Sequence, residues 1–348
     1  MAQQLNKQNF DTKKVSTRAF LYSTSRSVFF STRMKNAKCK WATLKLMRRS
    51  YFYALACSAA FLSCKFYIDG TEPGKYCPNN KQVVTFAEIG NYGRLGNQLF
   101  QIAATVGIAE YSGASWALPT SVSNSTIGRL FDLKGEISLY QRFTELPEAT
   151  QLYHDVKIPQ SACYVSLRGY YQSLKYFENS HATLRKHFRI PAQLMQHVRT
   201  EVKEINAAGT VALHVRRGDY TEPPFNTLYN LMPVDYYIDA LSRFKNVTHI
   251  IIVTNDRLWC QRHLAGHLDA PVVFSPFEDE VLDFVLLYLA KRIIIANSSF
   301  SWWAAFLRLL HRLPYQVMAP RHWYKLDGGL AYLNNNYFFP ETWVQLSV

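Results

Sequence analysis

From residue 83 onward, short apolar runs alternate with stretches in which apolar residues recur every three or four positions. Residues 83–87 read as a strand. Leu95, Leu99, Ile102, Val106 and Ala109 then place one apolar side on a helix over about 95–111, and residues 116–118, ending at Pro119, read as the next strand. Residues 121–174 follow neither period and are left without elements. A mixed-charge helix over about 191–206 joins this half to a more regular one. Strands are predicted there at 211–215, 249–254, 272–274, 293–296 and 316–319, and helices at 234–245, 256–264, 280–291 and 301–311. Apolar strands separated by amphipathic helices imply an α/β protein whose parallel sheet is covered on both faces. Ligands of such sheets bind at the carboxyl ends of the strands.

Before residue 83 the pattern changes. Residues 51–64 carry no charge, and Lys65 separates them from Phe66, Tyr67 and Ile68, an 18-residue span against the roughly 20 a membrane-crossing helix needs. Snorkelling of Lys65 would extend the span to Ile68. Arg48 and Arg49 on its N-terminal flank favour an N-terminus-in orientation. The span reads as a type II signal anchor; a cleaved signal peptide, a mitochondrial presequence and a buried soluble helix are the alternatives. The domain plan is a basic tail (1–50), an anchor helix (51–68), a stem (69–82) rich in Gly, Pro and Asn, and two α/β domains (83–205 and 206–348).

Composition refines this picture mainly through charge. The chain has 348 residues, 48% of them hydrophobic, which excludes a disordered or low-complexity protein. Its net charge of +14 would suggest a polyanionic partner. Twelve Lys and Arg against Asp11 alone put +11 of that charge in residues 1–50, leaving 27 basic and 24 acidic residues beyond. No nucleic acid is therefore expected as a partner of the folded part. Beyond the apolar span, Cys77, Cys163 and Cys260 allow at most one internal disulfide, whose pairing stays open, and no CxxC spacing marks a zinc site. Sequons occur at Asn124, Asn246 and Asn297.

Three segments concentrate polar chemistry at predicted strand ends. The first is GRLGNQ at 93–98, where two glycines permit a tight turn and Arg94, Gly96 and Asn97 face a helix start that suits an anion. The same residues also fit a plain strand-to-helix turn capped by Asn97. The second is HVRRGDY at 214–220. One of Arg216 and Arg217 should meet a ligand, since neighbours on a strand face opposite ways, while the other pairs with Asp219 or a nearby carboxylate. The competing reading is a surface ion-pair cluster with His214 in the core. The third is NSSFSWW at 297–303, where Ser298, Ser299 and Ser301 and the helix N–H groups suit a diphosphate, while Trp302 and Trp303 read as core. Asn255 and Asp256 end a further strand and suit either a ribose or base, or a helix cap.

Together these segments resemble the α-1,2-fucosyltransferase family, glycosyltransferase family 11, within the wider fucosyltransferase superfamily. The resemblance rests on GRLGNQLFQIA at 93–103, HVRRGDY at 214–220, TNDRLWC at 254–260, DFVLLYLAKRIIIANSSFSWWAAFL at 283–307 and APRHWY at 319–324. It implies a GT-B-like fold of two Rossmann-like domains. It also implies an inverting transfer of L-fucose from GDP-β-L-fucose to the 2-hydroxyl of a galactose-terminated glycan, without metal, in the Golgi lumen. Residue by residue, it assigns Arg216 to a donor phosphate, Asn97 to the reaction centre, and Ser299 and Phe300 to the diphosphate. Asn255 departs from the family, in which Asp is common at this position.

The chemistry of the residues agrees. A nucleoside diphosphate leaves only when its developing charge is offset by a metal or by fixed cations and dipoles. The twelve aspartates contain no Asp-x-Asp pair, so Arg216, Arg217 and the helix start at 298–301 are the available groups. Asp219, Asp256, Glu88 and His214 are the candidates to take the acceptor's proton. A transferase for another sugar nucleotide and a non-catalytic carbohydrate- or nucleotide-binding membrane protein are the alternative functions.

Overall fold

The computed structural model describes residue 77 and residues 81–347, apart from 132, 134, 138–141 and 336. The expected tail and apolar span, and most of the stem, lie outside the described residues. No helix among the described residues is long and apolar enough to cross a membrane.

The described residues form one compact unit built on two sheets. The first contains β1 (Val83–Thr85), β2 (Ser115–Trp116), β3 (Thr144–Pro147) and β4 (Tyr164–Arg168), in the order β2-β1-β4-β3. With it go the helices α1 (Leu95–Tyr111), α2 (Thr126–Phe131) and α3 (His181–His187). Helix α4 (Ala192–Glu201) and a 3-10 turn at Lys203–Asn206 lead into the second sheet. Its strands are β5 (Thr210–Val215), β6 (His249–Thr254), β7 (Val272–Phe274), β8 (Arg292–Ile294), β9 (Gln316–Pro320) and β10 (Val344–Leu346), in the order β10-β9-β8-β5-β6-β7. Between them lie α5 (Val234–Ser242), α6 (Arg257–Trp259, continued by a π turn over Cys260–Leu264), α7 (Glu280–Leu289) and α8 (Ser299–Leu310). Every strand pairing in both sheets is parallel. This is the α/β class expected, with two parallel sheets in succession.

The second sheet follows its sequence pattern closely. Strand β5 is buried at all six positions, and β6 and β7 occupy the expected residues. Helix α8 starts two residues earlier than expected, because Ser298 takes the extended backbone of an N-cap (φ −137°, ψ 124°). The first sheet departs more. Strands β3 and β4 fall within 121–174, where no period is visible. Strand β3 is largely exposed and ends in Pro147, and neither strand exceeds five residues.

Helix α1 is buried without a break from Leu99 to Ala109, so it is buried all round rather than on one side, Gln101 and Thr105 included. It lies between the first sheet and α8. There the Phe100 ring meets Trp302 at 4.5 Å and Trp303 at 5.2 Å, and both tryptophans are fully buried, as core residues should be. One continuous apolar core thus runs from the first sheet into the helices of the second. A disulfide joins Cys77 to Cys163, next to the backbone bond from Val83 N–H to the Cys163 carbonyl, and Cys260 is free and buried.

Candidate active site

The carboxyl ends of β1, β5, β6 and β8 open onto a cavity of about 440 Å³. That is within the roughly 300–1,000 Å³ usual for small-molecule sites. Arg94, Gly96 and Asn97, His214, Arg216 and Asp219, and Ser298, Ser299 and Phe300 all line it. Three motifs spread over more than 200 residues of chain therefore form one site. Arg217 and Asp256, expected among the ligand-binding residues, are not in its wall. The Arg217 Nε lies 3.3 Å from Asp256 and its guanidinium 4.1 Å from the Trp259 ring, while Asp256 caps α6 by accepting from Trp259 N–H. The alternation of side chains along the strand end turns Arg217 away from the ligand side, and the neighbouring carboxylate it meets is Asp256.

Two helix starts converge on one wall. Gly93 turns the chain with φ +94°, which only glycine adopts readily, and α1 begins two residues later. A Cβ on Gly96 would stand 2.3 Å from the Ser299 carbonyl carbon, so the absence of a side chain lets the start of α1 touch that of α8. Neither helix has a side-chain cap, whereas Asp256 and Asp279 cap α6 and α7. First-turn N–H groups of α1 and α8 are left for a ligand, at the positive ends of both helix dipoles. Asn97 ties the two starts together: its Oδ1 accepts from the Ser299 hydroxyl at 2.5 Å and from Gln172 Nε2 at 2.8 Å.

Electrostatics sharpen the wall. The Arg216 guanidinium is mostly buried, bonded to Asp219 at 2.5 Å and 5.0 Å from the Tyr220 ring. Burial and the neighbouring Arg216 push His214 down to about 3, so its ring is neutral, with Nδ1 2.8 Å from the Ser301 hydroxyl. Asn255 accepts from Arg217 N–H through Oδ1, holding the turn before Gly218, a service an Asp would perform equally. Of the four candidate proton acceptors, Asp219 and His214 line the cavity. Asp256 does not, and neither does Glu88, which lies 3.4 Å from Arg168 and accepts from the Tyr92 hydroxyl. Asn297 is fully buried, with Nδ2 donating to the Asn230 and Trp323 carbonyls, so that sequon is closed to a glycan.

Sequence reasoning missed two carboxylates. Glu280 and Asp283, in the first turn of α7, line the cavity beside Thr254 and Asn255. Burial raises the Asp283 carboxyl to about 6, against the opposing bond from the Ser275 hydroxyl. Acids in the first turn of a helix are common on electrostatic grounds alone, so a Glu-x-x-Asp pair there does not stand out in the sequence. Among the described residues no cluster of three or more His, Cys, Asp or Glu is placed to hold a metal ion.

The model of glycosyl transferase family 11 matches residues 75–312, which include all three motifs. The chain belongs to glycosyl transferase family 11. Within the family it is similar to the O-antigen biosynthesis glycosyltransferase WbnK of Escherichia coli, 29% identical over 66% of this chain and 74% of that protein. It is also similar to an Escherichia coli alpha-1,2-colitosyltransferase (30% identical, 52% of this chain, 62% of the relative). The galactoside 2-alpha-L-fucosyltransferase SEC1 of Bos taurus is 26% identical, over 62% of each chain. Among solved structures, POFUT1 in complex with GDP-fucose covers 70% of this chain and 99% of its own at 9% identity, with a TM-score of 0.45. This family 11 chain is a glycosyltransferase, and its three motifs line one cavity.

Proposed function

We propose that this family 11 enzyme transfers L-fucose from GDP-β-L-fucose to the 2-hydroxyl of a terminal galactoside, with inversion. The observation that carries the proposal is the convergence of two uncapped helix starts and Arg216 on one wall. That arrangement suits a diphosphate rather than a neutral ligand. Two of the relatives carry 1,2-linkage activities in their names, one of them a fucosyl transfer to a galactoside.

In this reading the diphosphate lies between the starts of α1 and α8, with Arg216 and Arg94 beside it. The nucleoside extends toward Thr254, Asn255 and α7. There Asp283 and Glu280 offer acceptors to the N–H edge of guanine, which uracil does not match. The acceptor oxygen attacks the anomeric carbon from the face opposite the diphosphate. As the anomeric C–O bond breaks, its electron pair passes to the phosphate oxygen, where Arg216 and the helix N–H groups offset the charge. Asn97, held by Ser299 and Gln172, stands at the junction of both substrates. Asp219 receives the acceptor's proton; an oxocarbenium-like transition state asks little of that base, and the depressed His214 is a weaker one.

The Cys77–Cys163 disulfide favours an oxidising compartment. It supports a type II protein anchored through residues 51–68 with its catalytic body in the Golgi lumen. The test offers GDP-fucose, GDP-mannose and UDP-galactose to the full-length protein with a β-galactoside acceptor, with and without EDTA. Fucose transferred in α-1,2 linkage, with EDTA present, is expected. Transfer from another donor only, or GDP binding without transfer from any donor, would overturn the reading.

A further inference from the structure

The catalytic cavity has two chemically different kinds of lining. Besides the helix starts and Arg216, the rings of Tyr170, Tyr220, Phe225 and Tyr229, which carry no charge, line it. Tyr220 and Tyr229 stack at 4.4 Å with 13° between planes, and Tyr324 backs Tyr229 at 5.2 Å. Phe225 extends this stack, 6.5 Å from Tyr220 and 6.2 Å from Tyr229. It is nevertheless 39% exposed, whereas the core phenylalanines 86, 100, 177, 188, 284 and 306 are all but fully buried. Packing does not require an aromatic ring there. The stack begins at Tyr220, beside the Arg216 guanidinium, so it starts where the phosphate-binding groups end.

We propose that Phe225, supported by Tyr220 and Tyr229, is the platform for the acceptor's terminal galactose, in the cavity that Tyr170 also lines from the first sheet's side. The inference rests on the fucosyl-transfer reading. A pyranose is uncharged and has a C–H face that packs on the electron-rich face of an aromatic ring. In galactose the axial 4-hydroxyl points away from one face and leaves C3–H, C4–H and C5–H contiguous on the other. In glucose the equatorial hydroxyl breaks up that patch. A flat ring at this position therefore selects galactosides, which polar groups alone would do less sharply. Placement next to Arg216 also sets the acceptor hydroxyls near the donor's anomeric carbon.

The test compares Phe225→Ala and Phe225→Trp in the full chain, with methyl β-galactoside and methyl β-glucoside as acceptors. Phe225→Ala should raise the galactoside KM roughly ten-fold and narrow the galactoside preference, the loss expected for one stacked ring. GDP affinity by calorimetry should stay within about two-fold, and Phe225→Trp should restore the galactoside KM. Saturation-transfer NMR with GDP and methyl β-galactoside reads the platform without turnover: H3, H4 and H5 should be the protons contacted in the wild type and lose that contact in Phe225→Ala. An unchanged galactoside KM, an equal rise in the GDP-fucose KM, or no contact at H3–H5 would overturn the platform. A wild type that contacts galactoside but transfers no fucose would overturn the reaction and leave the platform standing.

Discussion

The two sheets hold their parts of the site by different means. In the six-stranded sheet, β5 pairs with β6 over six consecutive residues and with β8 over three, and His214, Arg216, Asn255 and Ser298–Phe300 stand at or just beyond those strand ends. Strand register alone brings them together. In the four-stranded sheet β2 has two residues and β1 three, and single polar side chains do the holding. Gln101 Nε2 donates to the Tyr92 and Gly169 carbonyls, Glu148 accepts from Tyr170 and Tyr171 N–H, and Gln172 bonds Asn97. Arg216, Asp219, Glu280 and Asp283 thus come from the register-held half, while the half that brings Arg94 and Tyr170 to the site depends on hydrogen bonds that one substitution removes.

The largest expected effect tests the register-held half. Arg216→Ala should lower kcat/KM with GDP-fucose by about 10²–10³, equivalent to about 2.7–4 kcal/mol, the range for a lost charge-stabilising donor. Thermal unfolding should scarcely move, because the Asp219 left behind is 44% exposed at its side chain. Steady-state kinetics and calorimetry check both halves of that statement, and full activity would end the role given to Arg216.

A smaller effect is expected where the two halves touch. Gly96→Val places carbon atoms against the Ser299 backbone, which cannot step aside as a flexible side chain would. The expected cost is on the order of 3 kcal/mol, at the upper end for overpacking, seen as a lower denaturant midpoint with unchanged slope. An unchanged midpoint would mean that the contact between helix starts is looser than the geometry shows.

The smallest effect belongs to the hydrogen-bonded half. Burial raises Glu148 from 4.5 to about 7, against the pull of the Tyr170 and Tyr171 N–H groups. A carboxyl whose folded pKa is raised binds its proton more tightly in the native state. Its contribution to stability is full below about 4.5 and is lost as pH rises through about 7. Glu148→Gln should therefore flatten the fall in stability between pH 5 and 7.5 by on the order of 1–2 kcal/mol, as each pKa unit is worth about 1.4. Urea melts across that range measure it, and parallel slopes for both proteins would contradict the assignment.

Legibility followed the same division. The second sheet's central strands β5 and β6 are nearly continuous buried apolar runs, and β6 and β7 match the expected residues. In the first sheet β3 is mostly exposed, and its residues carry no period to read. Cavity residues in the motifs were visible because polar groups interrupt apolar runs. Glu280 and Asp283 were not, since acids in a helix's first turn are ordinary, and only the position of α7 beside β6 aims them at the cavity.

The sequence by itself determined the α/β class, the second sheet's order of elements as far as β9, the family and the cluster of Arg216, Asn97 and Ser299 as chemistry-bearing positions; β10, mostly exposed, carried no readable signal. Each of these is a local signal: periodicity, or a polar burst at the end of an apolar run. Tertiary structure decided which arginine lines the cavity, which carboxylates reach it, that Cys77 pairs with Cys163, and that Tyr170 and Phe225 line the same cavity as Arg216. Those outcomes depend on how strands align and how closely two helix starts approach, and both are set by contacts between residues far apart in the chain.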